Sequence, residues 1–387
     1  MSYTSAQSGD NYRNWWPHAT MTAVANDSID LLQSLADETN NIPCVTQRGY
    51  VLATRSTYID ALRADLLPGV DIDVVSGRSR VHERFPAMSE EITNVLHVRN
   101  AGDFSSQQTG QYMLARIRTA GGKRLPGAVT AIKTGAPFLL QVAVGSEART
   151  IRADVIVNAA GPFAKRVAAM VDVDLPVKNV YQQKLAFEDT LGAVPRDMPF
   201  SIDLDSKRLP WTDEERTALQ ADPDYNWLTE QMPSGVHCRP EGGLRGRWVK
   251  LGWAFNQRAS QPQTDLANEP AIHPQFPEIV MRGAASLIPA LASYVDAPPP
   301  RYSHYGGYYT MTEENWPLIG PLGPDGSYLI GGLSGFGSMI ACAAGRLCAG
   351  WVCGAGLPGY ASDLSLARYQ DAGLLADLQA ASSKGLL

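Results

Sequence analysis

The residues best placed to do chemistry stand near the C-terminus, in YLIGGLSGFGSMIACAAGRL (328–347). An apolar strand, Tyr328 to Ile330, runs into Gly331, Gly332, Gly335 and Gly337, and a helix of small residues follows. Glycines let a backbone turn tightly and come close to a ligand. The first helical amides, at Ser338, Met339 and Ile340, are read as unpaired and lie at the positive end of the helix dipole. Such an end suits an anion, or a negative charge that develops during a reaction. The strict dinucleotide fingerprint G-x-G-x-x-G is not met: Gly335 and Gly337 supply its first two positions and Ile340 stands at the third. From these residues alone two readings stay open, a ligand-binding turn or a tight strand-to-helix connection that holds nothing. Ala341, Gly345 and Ala349, at i, i+4 and i+8, form a small-residue face predicted to pack closely on a sheet.

The elements that must position this turn are legible in outline. Met21, Val24, Leu31, Leu32 and Leu35 make a helical stripe over 20–37, with Thr20 as its expected cap. CVTQRGYVLAT (44–54) alternates like a strand. Ser105 caps a helix predicted to run to about Thr119, which Gly121 and Gly122 terminate. GAVTAI and FLLQVAV (127–144) read as a hairpin joined by a turn with Gly135 and Pro137. In ADVIVNAAGP (153–162), the run Val155 to Val157 predicts a strand buried on both faces. VYQQKLAFED and RWVKLGWAF read as strands of a more β-rich middle, with a polar, Trp-containing helical stretch at 211–231 between them. The prolines at 298–300 mark a boundary.

Bulk properties narrow the classes. The 387 residues are 44% hydrophobic and 19% charged, which fits a globular chain rather than a disordered one. A net charge of −6 with no basic run argues against nucleic acid as the main partner. No stretch reaches the roughly 20 apolar residues of a membrane span, and MSYTSAQSGD does not read as a secretory signal. The five cysteines (44, 238, 342, 348 and 353) are odd in number and lack a CxxC, so the expectation is a reduced, cytoplasmic protein. His237 beside Cys238 has no second pair at ligand spacing, and no metal site is expected.

Three further segments join the C-terminal turn: GDNYRNWWP (9–17), NAAGP (158–162) and YGGYYTMTEENWPLIG (305–320). In this order they resemble the D-amino-acid-oxidase-like family of FAD-dependent oxidoreductases, which includes glycine oxidases, sarcosine oxidases and dimethylglycine dehydrogenases. The resemblance runs from Gly9 to about Gly354. It implies a mixed α/β fold, with a Rossmann-like FAD-binding domain over 1–42, 100–170 and 300–387. An interleaved antiparallel β-rich substrate domain falls at 43–99 and 171–299. It also implies that the first βαβ unit, with G-x-G-x-x-G and the acidic residue for the ribose, is missing. Only eight residues precede Gly9, whereas such a unit takes about 30 or more. Truncation is the expectation, with an exposed sheet edge and weakened FAD binding as its consequences.

The resemblance implies FAD contacts at Gly9, Asn11, Tyr12, Arg13, Val129, Ala159, Ala160, Gly161, Gly335, Phe336, Gly337, Ser338 and Met339. Ser338 and Met339 would donate their amides to the flavin pyrimidine edge in the manner of an oxyanion hole. Lys250 matches the lysine over the flavin that promotes reaction with oxygen in sarcosine-oxidase-like enzymes. Arg13 matches an arginine near the flavin, which touches it or pairs with a substrate carboxylate. A strand lysine pointing to water and a solvated arginine beside Trp15 and Trp16 are the plain alternatives. Two departures matter. Gly307 stands where monomeric sarcosine oxidases carry the cysteine that links FAD, so the flavin here is expected to be noncovalent. Met339 stands where they carry a carboxylate-binding lysine, which makes sarcosine a poor substrate. His304, Tyr308 and Tyr309 are expected either in the substrate pocket or in the core. The implied reaction is oxidation of a small amine or amino acid, with hydride transfer to flavin N5 and hydrolysis of the imine. Oxygen or an electron carrier takes the electrons. A catalytically silent subunit is the alternative, and the sequence carries no sign of the oligomeric state.

Overall fold

The computed structural model describes residues 3–16, 18–56, 70–264 and 273–382. Its largest element is an eight-stranded sheet. From edge to edge the strands are Tyr302–Met311, Lys178–Glu188, Trp248–Gly252, His237–Glu241, Phe200–Asp203, Tyr50–Thr54, Asn94–Val98 and Ile72–Ser76. Most neighbours are antiparallel, and Phe200–Asp203 runs parallel to Tyr50–Thr54. Period-2 alternation explains the sheet's two faces. In RWVKLGW, Val249, Leu251 and Trp253 are buried in the main core, while Lys250 and Gly252 point the other way. In Lys178–Glu188, Leu185 and Phe187 join that core, and Gln182, Lys184 and Ala186 turn to the opposite face. The helix Phe276–Ala285 covers the apolar face through Ile279, Val280 and Ala284. Gly283 is required there, because a Cβ would lie 2.3 Å from the Trp253 ring. Tyr50–Thr54 is buried along its whole length. Val51 and Ala53 belong to the main core, while Tyr50 and Leu52 belong to a second cluster with Trp15.

The glycine turn belongs to a smaller three-stranded sheet. Leu318–Pro321 pairs antiparallel with Ser327–Gly331, which pairs parallel with Ile156–Asn158. The helix Gly337–Cys353 packs on the helix Ala19–Glu38, with Ile340, Ala343, Ala344 and Leu347 in one core with Val24, Ala25, Ile29 and Leu32. Here the sequence expectation is corrected. Ala341, Gly345 and Ala349 are exposed, because burying Ile340, Leu347 and Met339 removes more apolar surface from water than burying the small stripe. A second correction concerns the strand at 155–157. Val155 is 41% and Val157 44% exposed, since alternation puts both on a face that packs into no core, while Ile156 packs on the other.

Local details follow the chemistry of the caps. Ser105 caps Ser106–Thr119 as expected, its hydroxyl accepting from Gln108 N at 3.2 Å. The first long helix instead starts at Ala19 with His18 as its cap, Nδ1 accepting from Thr20 N at 3.2 Å. Thr20 is occupied elsewhere, donating to Asp363 Oδ2 at 2.6 Å. The expected hairpin forms as Ala128–Lys133 and Phe138–Val144, extended by a third strand, Glu147–Ala153. The strand read at 44–54 is shorter, Tyr50–Thr54, with Thr46 bridging to Asp103. Among the described residues no helix is long and apolar enough to cross a membrane.

Candidate active site

A cavity of about 470 Å³ lies where the polar face of the large sheet meets the glycine turn. One wall is the turn and the helix start: Ile330, Leu333, Ser334, Gly335, Gly337 and Ser338, with Ala341 further along the helix. A second wall is Ala159, Ala160, Gly161 and Pro162, held by Asn158, which accepts from Ala160 N at 3.2 Å and donates to Ala164 O at 2.8 Å. The helix Ser106–Thr119 supplies Ser106, Thr109, Gly110 and Met113, spaced to share one helical face. The large sheet supplies Gln182, Lys184, Gly307, Tyr308, Tyr309 and Thr310. The segment from Tyr3 to Ser8 closes the remaining side: Thr4 packs on Gly307, and Ser8 Oγ donates to Ser338 Oγ at 2.9 Å.

The turn is built for close approach. A Cβ on Gly335 would meet the Tyr309 ring at 2.5 Å, and Gly332 takes a positive φ of 63°. The helix begins at Gly337, and Ile340 N donates to Phe336 O at 3.3 Å. Ile340 is therefore paired, contrary to the sequence reading, while the amides of Ser338 and Met339 precede the first helical hydrogen bond. The side chains of Phe336 and Met339 turn into the core, Phe336 edge-on to Trp16 at 5.0 Å.

Arg13 is fully buried. Its guanidinium lies among ring faces, over Tyr50 at 4.7 Å, Trp16 at 4.8 Å and Trp15 at 5.7 Å, with the Tyr50 hydroxyl as its polar neighbour. Cation–π contacts of this kind stabilise a desolvated cation by about 2 kcal/mol or more. It does not line the cavity. Tyr12 next to it is buried and donates to Thr46 O at 2.8 Å, and Gly9 and Asn11 lie beside Lys184, a Cβ on Gly9 falling 3.7 Å from Lys184 Nζ.

The polar face of the large sheet carries a charge network. Lys250 Nζ pairs with Glu241 Oε2 at 2.9 Å. Arg239 reaches the same carboxylate at 2.7 Å and Asp103 at 3.3 Å. Burial works against the charge of Glu241, but Arg239 and Lys250 outweigh it and hold its carboxyl below the ordinary range. Tyr309 keeps its proton, burial pushing the phenol up to about 12.

Of the residues singled out in the sequence, the cavity gathers Ala159, Ala160, Gly161, Gly335, Gly337, Ser338, Tyr308 and Tyr309. Lys250 and Arg13 stand outside its lining. His304 lies opposite Leu185, on the core side of the sheet, where it stacks on Phe276 at 5.4 Å and meets Gln183 Oε1 at 2.8 Å. Val129 sits half-buried in the hairpin sheet, also away from the cavity lining. Sequence reasoning missed Lys184, Gln182 and the face of Ser106–Thr119. A lysine among neutral residues in VYQQKLAFE was the available signal. Among the described residues no group of three or more His, Cys, Asp or Glu could hold a metal ion.

The sequence matches the family model described as FAD dependent oxidoreductase over residues 2–351. The chain belongs to that family. Dimethylglycine dehydrogenase, mitochondrial, of Mus musculus is 25% identical over 240 residues, covering 57% of this chain and 27% of that protein. The chain thus spans little more than a quarter of the curated relatives it matches, the Rattus norvegicus protein of the same name included (27%). Among solved structures, L-proline dehydrogenase from P. horikoshii superposes with a TM-score of 0.71 at 16% identity, over 95% of this chain and 88% of that one. Glycine oxidase from Geobacillus kaustophilus gives 0.71 at 16% identity, over 94% and 88%. The mixed α/β fold of this FAD-dependent oxidoreductase is therefore that of its family.

The residues present fit the flavin end of FAD. Gly335 lets the turn pass directly against the Tyr309 ring, where no Cβ would fit, and the helix start beside it lines the cavity. Both suit a planar ring with a polar, electron-accepting edge.

Proposed function

We propose that this FAD-dependent oxidoreductase oxidises the C–N bond of a small amine or amino acid, with its FAD held noncovalently. The observation that carries the reading is that one cavity joins the glycine turn and its free helix amides to the polar, cation-bearing face of the large sheet. FAD, when bound, supplies the two-electron acceptor. The Gly335 to Met339 turn would hold its pyrimidine edge, the amides of Ser338 and Met339 stabilising negative charge there. Gly307, in the cavity wall, offers no sulfur for a covalent link. As two electrons and a proton leave, the C–N bond becomes C=N, and water splits the imine into a carbonyl compound and an amine. The neutral Tyr309 hydroxyl donates to or accepts from the substrate, and the closed walls position it and limit water. The names of the similar proteins, which refer to dimethylglycine, L-proline and glycine, support a small amino acid as substrate. The unbridged state of all five cysteines agrees with a reduced compartment, which we take to be the cytoplasm.

The test is the visible absorption spectrum of the purified protein before and after acid precipitation. A flavin spectrum released by acid is the expected result, followed by anaerobic bleaching with one member of an amino-acid and amine panel. A protein that stays colourless with added FAD refutes the reading. Oxygen or an electron carrier remains as acceptor, and Lys250 is the residue that separates them.

A further inference from the structure

We infer that Lys184 is the carboxylate anchor of this cavity, selecting α-amino acids over amines that lack the acid group. The inference deepens the amino-acid reading above and rests on it. Lys184 stands at the centre of the polar face, opposite Tyr305 on one neighbouring strand and Gly252 on the other. The His237 ring fills the space over Gly252, where a Cβ would meet its Nε2 at 2.3 Å. The ammonium lies in the cavity wall, and its one recorded hydrogen bond is to a neutral acceptor, Gln7 O at 3.1 Å.

The cations around it are already neutralised. Lys250 is paired with Glu241, and Arg239 with Glu241 and Asp103. Among the described residues no carboxylate comes within ion-pair distance of Lys184. Among the described residues Lys184 is thus the cation of this face with no carboxylate at close range, Asp10 acting on it only from beyond ion-pair distance, and it is largely removed from water. Burial first, then the charges of Lys250 and Arg239, pull this ammonium down to about 8, with Asp10 acting in the opposite sense. An incoming carboxylate answers both the desolvation and the repulsion, by a charge-assisted hydrogen bond. Met339, by contrast, is turned into the core and carries no charge. Lys250 faces Glu241 rather than the cavity.

The geometry also gives the anchor a purpose. Lys184 shares its strand face with Gln182 and lies across from Tyr305, while Tyr309 stands four positions further along the neighbouring strand and the glycine turn lines the same cavity. A substrate held by its acid group at Lys184 presents its amino end towards that turn. An amine without the acid group has nothing to hold it in that orientation.

The experiment uses propionate as probe and propionamide as its uncharged isostere, at constant ionic strength, with the melting midpoint of the purified protein as readout. Propionate is expected to raise the midpoint saturably, and propionamide and added chloride are not. Lys184→Met should weaken the apparent propionate affinity about ten- to a hundredfold, the value of a hydrogen bond to a charged group. Lys184→Arg, which keeps the cation, should retain a saturable response and serves if the methionine variant fails to fold. An unchanged propionate response in Lys184→Met, no propionate response in the parent, or an equal response to propionamide or chloride would overturn the inference. Flavin absorbance is read on the same samples. A colourless protein with a Lys184-dependent response defeats the cofactor reading alone, and a yellow protein without one defeats this inference alone.

Discussion

Glu314→Gln is expected to cost this protein about 3 kcal/mol and to loosen the glycine turn with it. Glu314 and Arg368 are both buried, with side-chain exposures of 2% and 0%. Arg368 Nε donates to Glu314 Oε1 at 2.8 Å, and Tyr369 OH donates to the same oxygen at 2.8 Å. Removing one partner of a buried pair leaves an uncompensated charge and typically costs about 3–5 kcal/mol. The lower end applies here, because Arg368 keeps the carbonyls of Trp316, Pro317 and Asp363 as acceptors. An unfolding entropy of about 0.8 kcal/mol/K for a chain of this length turns ~3 kcal/mol into a drop of about 4 °C in Tm. The pair staples the Glu314–Pro317 loop to the C-terminal segment. That loop in turn supports the cavity turn, since a Cβ on Gly332 would lie 3.5 Å from Trp316 O. Calorimetry of Glu314→Gln, Arg368→Met and the Glu314→Leu/Arg368→Met pair is the assay. The double variant should recover most of the loss, because an apolar pair carries no desolvation penalty. A Tm for Glu314→Gln within about 1 °C of the parent, or a double variant as unstable as the sum of the singles, refutes the reasoning.

Other changes read the site directly. Gly335→Ala forces a methyl to within 2.5 Å of the Tyr309 ring. At the usual overpacking cost of about 1–3 kcal/mol, FAD retention should fall roughly ten- to a hundredfold, measured by fluorescence titration. Equal affinity would mean that the turn does not touch the cofactor. Lys250→Met leaves Glu241 paired with Arg239 at 2.7 Å, so the fold should hold. Stopped-flow reoxidation should slow by roughly 100-fold, the effect of losing one preorganised electrostatic group, while anaerobic bleaching by substrate is unchanged. Loss of bleaching instead would assign Lys250 to substrate. Stability should also depend on pH through two histidines. Burial holds His97 and His237 down to about 4, the former helped by the Arg99 and Arg84 charges and the latter by Lys184 and Arg239. Because the folded values lie below the unfolded one of about 6.5, their contribution is complete above that pH and is lost as pH falls towards 4. Tm measured from pH 7 down to 5, above the range where most carboxylates titrate, should decline, and His97→Gln/His237→Gln should flatten the slope. A slope unaltered by the double variant would remove both histidines from the explanation.

Much of the frame was legible because it obeys simple periods. RWVKLGW alternates cleanly, so Val249, Leu251 and Trp253 announce a core face and Lys250 the opposite one. Ser105 was readable as a cap because its hydroxyl has one obvious task. The glycine turn was readable because few other residues permit such close backbone approach. What failed was tertiary. No local signal says that Val155 and Val157 would face water, since that depends on what layer covers their face of the sheet. The small stripe of Gly337–Cys353 satisfied the helical period, but the adjacent stripe holding Ile340 and Leu347 had more to gain from burial. Lys184 was visible only as a lysine within a strand, for a similar reason. Its significance lies in the pairing of Glu241 with Lys250 and Arg239, three residues far along the chain, which leaves Lys184 with no carboxylate in ion-pair distance among the described residues. His304 stayed open between pocket and core because the parity of its strand is fixed only by pairing with Leu185, which sends it to the core.

The one-sided pairing of Ile156–Asn158 also bears on how the protein behaves in bulk. A strand with a vacant flank offers its row of amides and carbonyls to any extended backbone that arrives, another copy of itself included. With two valines already in water beside that flank, self-association begins with little apolar surface left to uncover.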